Sequence, residues 1–375
     1  MRTFAPSGLI ATLGPLLFGT LALVGCAQRS GAQAAQPIGT SNEVVLNEVP
    51  DDAAPPEREV PDENIVRQAG RPFEGYRVAD KKRLSPDEFF TYMASADAIC
   101  IGESHGQALD HYAQLRTIEA LLERRSMRGF ELGVALEMVR QDSQNFLTAF
   151  EQSRISSDDF ADLSNWDIEW GVPIQYYLPQ LRSAAESGAR LLALGVERAL
   201  THEIATGGIE ALDPKKIEHL PELDFDSAEH RELFDDLMQE HPHGSQEVTA
   251  ASAPKANKPL STRESDLHHS PEHHEQTKAN LEFYYEAQVV WDESMAKKSA
   301  DFLLARRPGR KLIILAGKAH CHRDAIPKRL MRRTGMNVVS LLPVTGGKVL
   351  SYQGSNSHGD DRLADGYDFQ LVYQR

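Results

Sequence analysis

Two distant segments of the chain share one pattern, an apolar run, a glycine and then a histidine three residues after the glycine. In the first, Ala98–Ile101 leads to His105, and in the second, Lys311–Ala316 leads to His320. Apolar runs without alternation are typical of parallel strands that are covered on both faces. Because parallel strands end at one edge, where ligands bind, the pattern predicts both histidines there, with Glu103 beside the first. The alternative is two ordinary strand-to-helix turns that carry incidental histidines.

Two further predicted strands end near charged residues. Gly133–Met138 is predicted as the second strand, and Glu137 near its end is costly in an apolar setting unless it is paired or acts as a ligand. Arg190–Val196 is predicted as the third strand, and it is followed by Glu197 and Arg198. A cation at that position would hold an anion or orient a glutamate. The alternatives are a surface-facing glutamate and a salt bridge at a helix start.

Predicted strands and helices alternate along the rest of the chain. This alternation predicts an α/β fold, in which a mostly parallel central sheet is sheathed by helices within a single large domain at 64–375. The longest helix is predicted over Ala279–Arg306. Gln288 and Asp292 lie one turn apart on its largely apolar face, so they are predicted to be neighbours.

The N-terminal residues have the composition of an exported protein. Met1–Gly25 joins a basic start to an uncharged apolar core that is short for a membrane span, which predicts a secretory signal peptide. The L-V-G-C sequence that ends at Cys26 resembles a bacterial lipoprotein box, which implies cleavage before Cys26 and its acylation. No aspartate follows Cys26, so we expect an outer-membrane lipoprotein that faces the periplasm. Residues 26–63 predict a disordered tether.

A histidine-rich tract at 241–278 interrupts the alternation of strands and helices. Six of the fourteen histidines lie in this tract, and it has no apolar period, so it is predicted to be a disordered loop insertion. One interpretation is an arm that captures zinc, copper or haem, or that responds to pH. The alternative is a solvated insertion without a specific role.

The three cysteines are predicted to form no disulfide. Cys26 is assigned to the lipid anchor, Cys100 lies inside the first strand, and Cys321 follows His320. A periplasmic setting permits a disulfide. Because Cys100 precedes its turn and is expected to face the core, we predict two unbridged thiols at Cys100 and Cys321.

Three motifs together resemble the ChaN-like haem-binding lipoproteins, a family related to Tiki-type proteases and erythromycin esterases. Gly102–His105, with His111 and Gln114 after it, resembles the opening motif of this family. Ala287–Ala296 resembles its long-helix motif, and Ala316–His320 resembles its closing motif. The resemblance implies a helix-sheathed α/β fold, a lipid anchor, haem binding linked to iron uptake, and a homodimer.

The resemblance extends roughly from Asp97 to Leu342, and the chain departs from the family pattern in two places. The histidine-rich insertion is not part of that pattern. The segment Gly195–Arg198 does not align with the usual sequence after the third strand.

Haem binding is the first of two mechanisms that these residues support. An apolar pocket would hold the porphyrin, and a tyrosine or histidine would bind iron as axial ligand. The tryptophan-rich segment around Trp166 and Trp170 would wall the porphyrin, although core packing is the alternative for these aromatic residues. The candidate cofactor-binding residues are Tyr176, Tyr177, Tyr284, Tyr285 and His111.

Hydrolysis of an ester or peptide bond is the second mechanism. A divalent metal such as zinc or manganese, held by Glu103, His105, Glu137 and His320, would activate water, with a glutamate as general base. Acid–base catalysis by His105 and Glu137 without a metal is the variant. The candidate catalytic residues are Glu103, His105, Glu137, Arg198 and His320.

Composition narrows the range of partners. The formal net charge of -15 argues against nucleic acid, because a binding face would need a basic field. The remaining partners are a membrane reached through the lipid anchor, haem or another small ligand, and a second copy of the chain. A third interpretation is an interaction protein with a decayed site. The intact histidines and glutamates at the strand ends argue against it.

Overall fold

The structure is a computed structural model that describes residues 60–240, 271–305, 309–345 and 364–374. The predicted signal peptide, the lipidation site Cys26 and the tether as far as residue 59 lie outside the described residues. Residues 241–270 of the predicted insertion also lie outside them. All of these assignments stay predictions.

One mostly parallel sheet forms the centre of the described chain. Strands β3 to β7 run parallel to each other where they pair, β8 is parallel to β7, and β1 is antiparallel to both β8 and β2. The strand order is β2-β1-β8-β7-β3-β6-β4-β5. The predicted α/β class is confirmed. The strands are β1 (Phe73–Arg77), β2 (Lys82–Leu84), β3 (Ala98–Glu103), β4 (Glu131–Arg140), β5 (Arg190–Gly195), β6 (Arg310–Gly317), β7 (Val338–Val344) and β8 (Phe369–Tyr373).

Helices cover both faces of this sheet. Within the described ranges, no helix combines the length and apolar character needed to cross a bilayer. The longest helix begins at Pro271, before the predicted start at Ala279. The helices are α1 (Ile65–Gln68), α2 (Pro86–Ser95), α3 (Ala108–Arg128), α4 (Gln144–Glu151), α5 (Ser157–Leu163), α6 (Trp166–Glu169), α7 (Leu178–Glu186), α8 (Arg198–Gly207), α9 (Pro214–Glu218), α10 (Ala228–Glu240), α11 (Pro271–Leu304), α12 (Lys318–Cys321) and α13 (Ile326–Thr334).

The central strands are apolar throughout because both of their faces are buried. In β3, Ile99 and Ile101 belong to a core that helices α2 to α7 cover. Ala98 and Cys100, which alternate with them, belong to a second core under α11 and α13. Successive side chains of a strand point to opposite faces, so only the ends of these strands are left to carry polar chemistry.

A disulfide joins Cys100 to Cys321, with a Cα–Cα distance of 5.2 Å. The prediction of two unbridged thiols is therefore wrong. Strands β3 and β6 are neighbours in the sheet, and α12 follows β6 directly, so it returns Cys321 to the face on which Cys100 lies. The sequence pattern identified both strands but not that they are adjacent.

Candidate functional site

The two histidine-bearing segments meet at one edge of the sheet. Strand β6 pairs with β3 in a register that places Glu103 beside Gly317. Strand β4 pairs with the other side of β6 and brings Glu137 to the same edge. A cleft of about 480 Å³ opens there, and it is lined by Glu103, His105, Glu137 and His320. The structure thus brings together the four side chains that were predicted to share a pocket.

Glu103 is a buried carboxylate with partners on both oxygens. Its Oε1 accepts a hydrogen bond from the Tyr177 hydroxyl at 2.7 Å and lies 2.8 Å from Nδ1 of His105. Its Oε2 accepts a hydrogen bond from Nε2 of Gln114 at 2.5 Å. The Trp170 indole N–H donates to the Tyr177 hydroxyl oxygen at 3.0 Å. Because a buried charge is tolerated only when it is paired and hydrogen-bonded, this network fixes the orientation of His105.

His111 lies behind this first pair of side chains and does not line the cleft. It is fully buried, and its Nε2 donates to the backbone carbonyl of His105 at 2.8 Å. Its Nδ1 lies 3.3 Å from Oε1 of Gln114 and 3.7 Å from Oε2 of Glu103. These contacts hold the turn that carries His105. The cofactor-binding role of His111 stays a prediction.

A second histidine–carboxylate pair contains His320, which also lines the cleft. Nδ1 of His320 lies 2.7 Å from Oδ1 of Asp292, and the side-chain amide of Gln288 lies 3.2 Å from the same nitrogen. Nε2 of His320 lies 3.4 Å from Oε1 of Glu137, whose Oε2 accepts the backbone N–H of Gly317 at 2.7 Å. The spacing of Gln288 and Asp292 on the long helix was the sequence signal for this contact.

The polar chain continues beyond Asp292 into the interior. Oδ2 of Asp292 lies 2.9 Å from Nε2 of His230, and Nδ1 of His230 lies 3.1 Å from Nη2 of Arg329. All three side chains are buried. Sequence analysis missed His230 and Arg329, because neither follows a strand end or belongs to a recognisable motif. Only the packing of α10 and α13 against α11 reveals them.

The carboxylates around both cleft histidines raise the pKa values of these histidines. Burial opposes the charge of His320, but the charges of Glu137 and Asp292 outweigh burial and raise the His320 pKa to about 9. Burial also opposes the charge of His105, yet its hydrogen bond to Glu103 raises the His105 pKa. Burial likewise opposes ionisation of Glu103, but the nearby histidines His111 and His105 lower its pKa overall. At neutral pH His320 is therefore an imidazolium ion that can donate a proton.

The pKa of His322 is shifted in the opposite direction to the pKa values of His105 and His320. The ring is almost completely buried, and Gly366 packs so closely on it that an added Cβ would lie 1.4 Å from Nε2. Burial lowers the His322 pKa to about 4. The chain thus buries one histidine as a cation, His320, and another as a neutral ring, His322.

The pKa shifts of these two histidines predict that the free energy of unfolding is greatest near pH 6.5. Stability from His322 is gained as pH rises from about 4 to about 6.5, because the unfolded chain binds the proton more tightly in that window. Stability from His320 is complete below about 6.5 and is lost as pH rises through about 9. Each limb is expected to amount to about 3 kcal/mol.

Urea unfolding between pH 4 and pH 9 measures these limbs. His322→Gln is expected to flatten the acid limb and His320→Gln the alkaline limb. A wild-type free energy of unfolding that stays constant over this range would contradict the assignment of the two charge states.

The walls of the cleft combine indole rings with cations. The Trp170 ring meets His105 edge-on at a centroid distance of 4.7 Å, and the Trp291 ring lies 5.1 Å from that of His320. Arg198, at the start of α8, also lines the cleft, and its Nη1 donates to the Ile168 carbonyl at 3.0 Å. Partial burial lowers the Arg198 pKa. Trp166, in contrast, is buried in the core and does not line the cleft.

None of the four predicted tyrosine ligands lines this cleft. Tyr177 is fully buried and donates to Glu103, and both burial and the Glu103 charge raise its pKa well above the ordinary value. Tyr285 is buried against Phe234, while Tyr284 and Tyr176 are half-buried in apolar clusters. Their roles as axial ligands stay predictions.

Metal ligation was the other predicted use of the cleft residues. Within the described ranges, no group of three or more His, Cys, Asp or Glu side chains is arranged to hold a metal ion. The four predicted donors form pairs, Glu103 with His105 and Glu137 with His320. The zinc or manganese site stays a prediction.

The chain is similar to several solved structures. ChaN of Campylobacter jejuni, described as binding haem cofacially, is 19% identical, with 81% of this chain and 97% of that chain covered and a TM-score of 0.56. An erythromycin esterase mutant in its open conformation is 13% identical, with 81% and 83% covered and a TM-score of 0.37. A Bacillus cereus protein is 12% identical, with 84% and 98% covered and a TM-score of 0.37.

The family comparison agrees with the motif resemblance. No curated protein matches the chain. The family described as "Haem-binding uptake, Tiki superfamily, ChaN" matches residues 89–330, a span that includes both histidine-bearing strand ends and the long helix. The C. jejuni structure shows the same fold. The chain therefore belongs to the ChaN haem-binding uptake family of the Tiki superfamily.

Proposed function

We propose that this chain binds haem in the cleft, as a lipid-anchored protein of the outer membrane that faces the periplasm, and that it serves iron uptake. Membership of the ChaN family supports haem as the ligand. The lipoprotein-box resemblance at Cys26 supports the anchor. The observation that carries the proposal is a carboxylate-supported imidazole, His105, which faces a cleft with indole walls.

The side chains of the cleft fit a porphyrin. Trp170 and Trp291 offer flat apolar surfaces, and Met138, Val196 and Leu237 add aliphatic surface around them. Ligand pockets of this kind are mostly apolar, with a few polar groups that fix orientation. Bound haem would supply an iron atom to which a histidine or tyrosine side chain of the protein can bind.

His105 is the cleft residue best suited to bind that iron. Its Nδ1 is held by Glu103, which leaves Nε2 as the ligating atom. A carboxylate behind a ligating histidine fixes ring orientation and raises ligand basicity. The raised pKa of His105 means that a proton must leave before ligation, so haem affinity is expected to increase as pH rises.

A haemin titration tests the proposal. The purified chain is expected to give a saturable Soret shift, and His105→Ala is expected to abolish that shift and weaken binding by at least about tenfold. His219→Ala is the matched control, because His219 is an exposed histidine that does not line the cleft. A Soret shift that survives His105→Ala but is lost in a tyrosine variant would identify that tyrosine, and not His105, as the ligand. No shift at all in the wild-type chain would end the haem proposal.

A homodimer is part of the proposal. The C. jejuni relative is described as binding haem cofacially. Ile168 and Leu163 expose 71% and 47% of their surface close in sequence to the cleft residue Trp170, which supports an apolar contact between two copies. Sedimentation of the chain with and without haemin tests this arrangement, and a monomer under both conditions would contradict it.

Hydrolysis is the second candidate function, and the paired charges of the cleft favour it. Two histidine–carboxylate pairs, Glu103–His105 and Asp292–His320, bring their histidines to the cleft, and Glu137 lies 3.4 Å from His320. Such a pair can donate a proton to a leaving group while Glu137 accepts one from water, with or without zinc or manganese. Turnover of an activated ester that is lost in His320→Gln would support this function, and no turnover with any added metal would exclude that ester as a substrate.

A further inference from the structure

Gly317 lies between two of the side chains that define the cleft. It ends strand β6 and lines the cleft itself. A Cβ atom at this position would lie 3.2 Å from Cε1 of His105, 3.5 Å from Nε2 of His105 and 3.7 Å from Oε2 of Glu137. Carbon atoms in contact prefer separations of about 3.5–4.0 Å. The place that a side chain of residue 317 would take is therefore directly beside Nε2 of His105.

The backbone at Gly317 does not require glycine. Its φ of -54° and ψ of 148° lie in an extended region that every residue type adopts. Its backbone N–H, which donates to Oε2 of Glu137 at 2.7 Å, would be present in any residue except proline. The reason for glycine at this position must therefore be the space that it leaves empty.

Other glycines of the sheet leave space that buried side chains fill. A Cβ atom at Gly133 would lie 2.7 Å from Phe302, and one at Gly102, the glycine of the first histidine motif, would lie 2.5 Å from the Tyr367 hydroxyl. Both of these neighbours are buried in the core under α11 and α13. Gly317 differs from these two glycines, because the space beside it adjoins an open cleft and not a filled core.

The other contacts of His105 leave its Nε2 available. Nδ1 lies 2.8 Å from Oε1 of Glu103, and the Trp170 ring meets the imidazole edge-on at a centroid distance of 4.7 Å. Among the described residues, none forms a hydrogen bond with Nε2, and 32% of the His105 side chain is exposed. A nitrogen of this kind, next to an empty side-chain position, is arranged to bind a group that enters from the cleft.

We infer that Gly317 is a specificity-determining residue, and that the side-chain space it leaves empty admits the group that binds Nε2 of His105. This inference rests on the proposed function, in which Nε2 is the ligand atom for haem iron. It adds that residue 317 sets how closely a large planar ligand can approach His105. Even the methyl group of an alanine would fill part of this space.

Acylation of His105 by diethyl pyrocarbonate tests the inference without haem. The reagent modifies unprotonated imidazole nitrogens, and Nε2 is the nitrogen of His105 that Glu103 leaves free. In the full chain at one fixed pH, Gly317→Ala is expected to slow acylation of His105 about tenfold, as measured by mass spectrometry. Exposed His219 is the internal reference, and its rate is expected to be equal in both chains.

Haemin titration, followed by quenching of tryptophan fluorescence, gives the second measurement. Gly317→Ala is expected to weaken haemin binding about tenfold to a hundredfold, because overpacking displaces the ligand. In the His105→Ala background the same substitution is expected to have no further effect, because the imidazole beside it is gone. Gly309→Ala is the matched control, since Gly309 precedes the same strand and a Cβ atom there would meet nothing within 4 Å.

The outcomes separate this inference from the proposed function. A wild-type rate of His105 acylation in Gly317→Ala would overturn the inference, as would an equal loss of haemin affinity with and without His105. A Gly317→Ala chain that does not fold would also overturn it, because the glycine would then serve packing. Failure of the wild-type chain to bind haemin would overturn the proposed function, whereas the acylation rates would still decide the role of Gly317.

Discussion

Replacing Cys100 and Cys321 together with alanine is expected to lower the free energy of unfolding by about 5 kcal/mol. The disulfide closes a loop with a sequence separation of 221 residues, and a cross-link over so long a loop removes much conformational entropy from the unfolded chain. Both cysteines are also fully buried in one apolar core, so some packing is lost as well. Urea unfolding of the oxidised wild-type chain and the double variant measures this difference.

Reduction of the wild-type chain provides the control for this experiment. With dithiothreitol, the wild-type chain is expected to approach the stability of the double variant, while the variant itself does not respond to reductant. Identical unfolding curves for oxidised and reduced wild-type chain, together with two titratable thiols after denaturation without reductant, would contradict the disulfide.

Glu293→Gln is expected to lower the free energy of unfolding by about 3–5 kcal/mol, because it removes the buried counter-charge of three arginines. Glu293 on α11 is fully buried. Its carboxylate accepts hydrogen bonds from Nη2 of Arg332 at 2.6 Å and from Nη2 of Arg333 at 2.5 Å. Nε of Arg329 lies 3.3 Å from the same carboxylate. Without that charge, α13 would keep cationic side chains against α11 with no anion between them.

An exposed ion pair on the same helix gives the matched control. Asp301 pairs with Lys297 at 2.7 Å, with 58% of its side chain exposed. Asp301→Asn is expected to change the free energy of unfolding by no more than about 0.5 kcal/mol, because water already solvates both charges. Similar losses for Glu293→Gln and Asp301→Asn in urea unfolding would show that burial does not decide the effect.

The edge of the sheet that carries the site was predictable from residues around the strand ends. Apolar runs without alternation are typical of parallel strands that are buried on both faces, and the carboxyl ends of parallel strands lie at one edge of the sheet. That reasoning placed His105, Glu137 and His320 close together before any contact was known, and the structure lines one cleft with all three. The helix spacing of Gln288 and Asp292 predicted that these two side chains are neighbours, but not that both of them contact His320.

The parts that sequence could not supply depend on which elements are neighbours in space. His230 reaches Asp292 from α10, which carries no motif. The disulfide requires β3 and β6 to be adjacent, and an apolar run says nothing about the order of strands. Tyr177 was predicted as a candidate iron ligand, whereas the structure shows that its hydroxyl donates to Glu103 and accepts from Trp170. The sequence around Tyr177 does not indicate either partner.

The position of β6 in the sheet has a consequence for biosynthesis. It lies between β3 and β4, which are consecutive in the chain, so the first two parallel strands cannot pair with each other and must leave a gap. At about 5–20 residues per second, the ribosome needs roughly 10–30 seconds to make the chain between Arg140 and Arg310. During that time the two facing strand edges stay unpaired and prone to aggregation. A chain of this design therefore benefits from a holding chaperone until β6 has emerged from the ribosome.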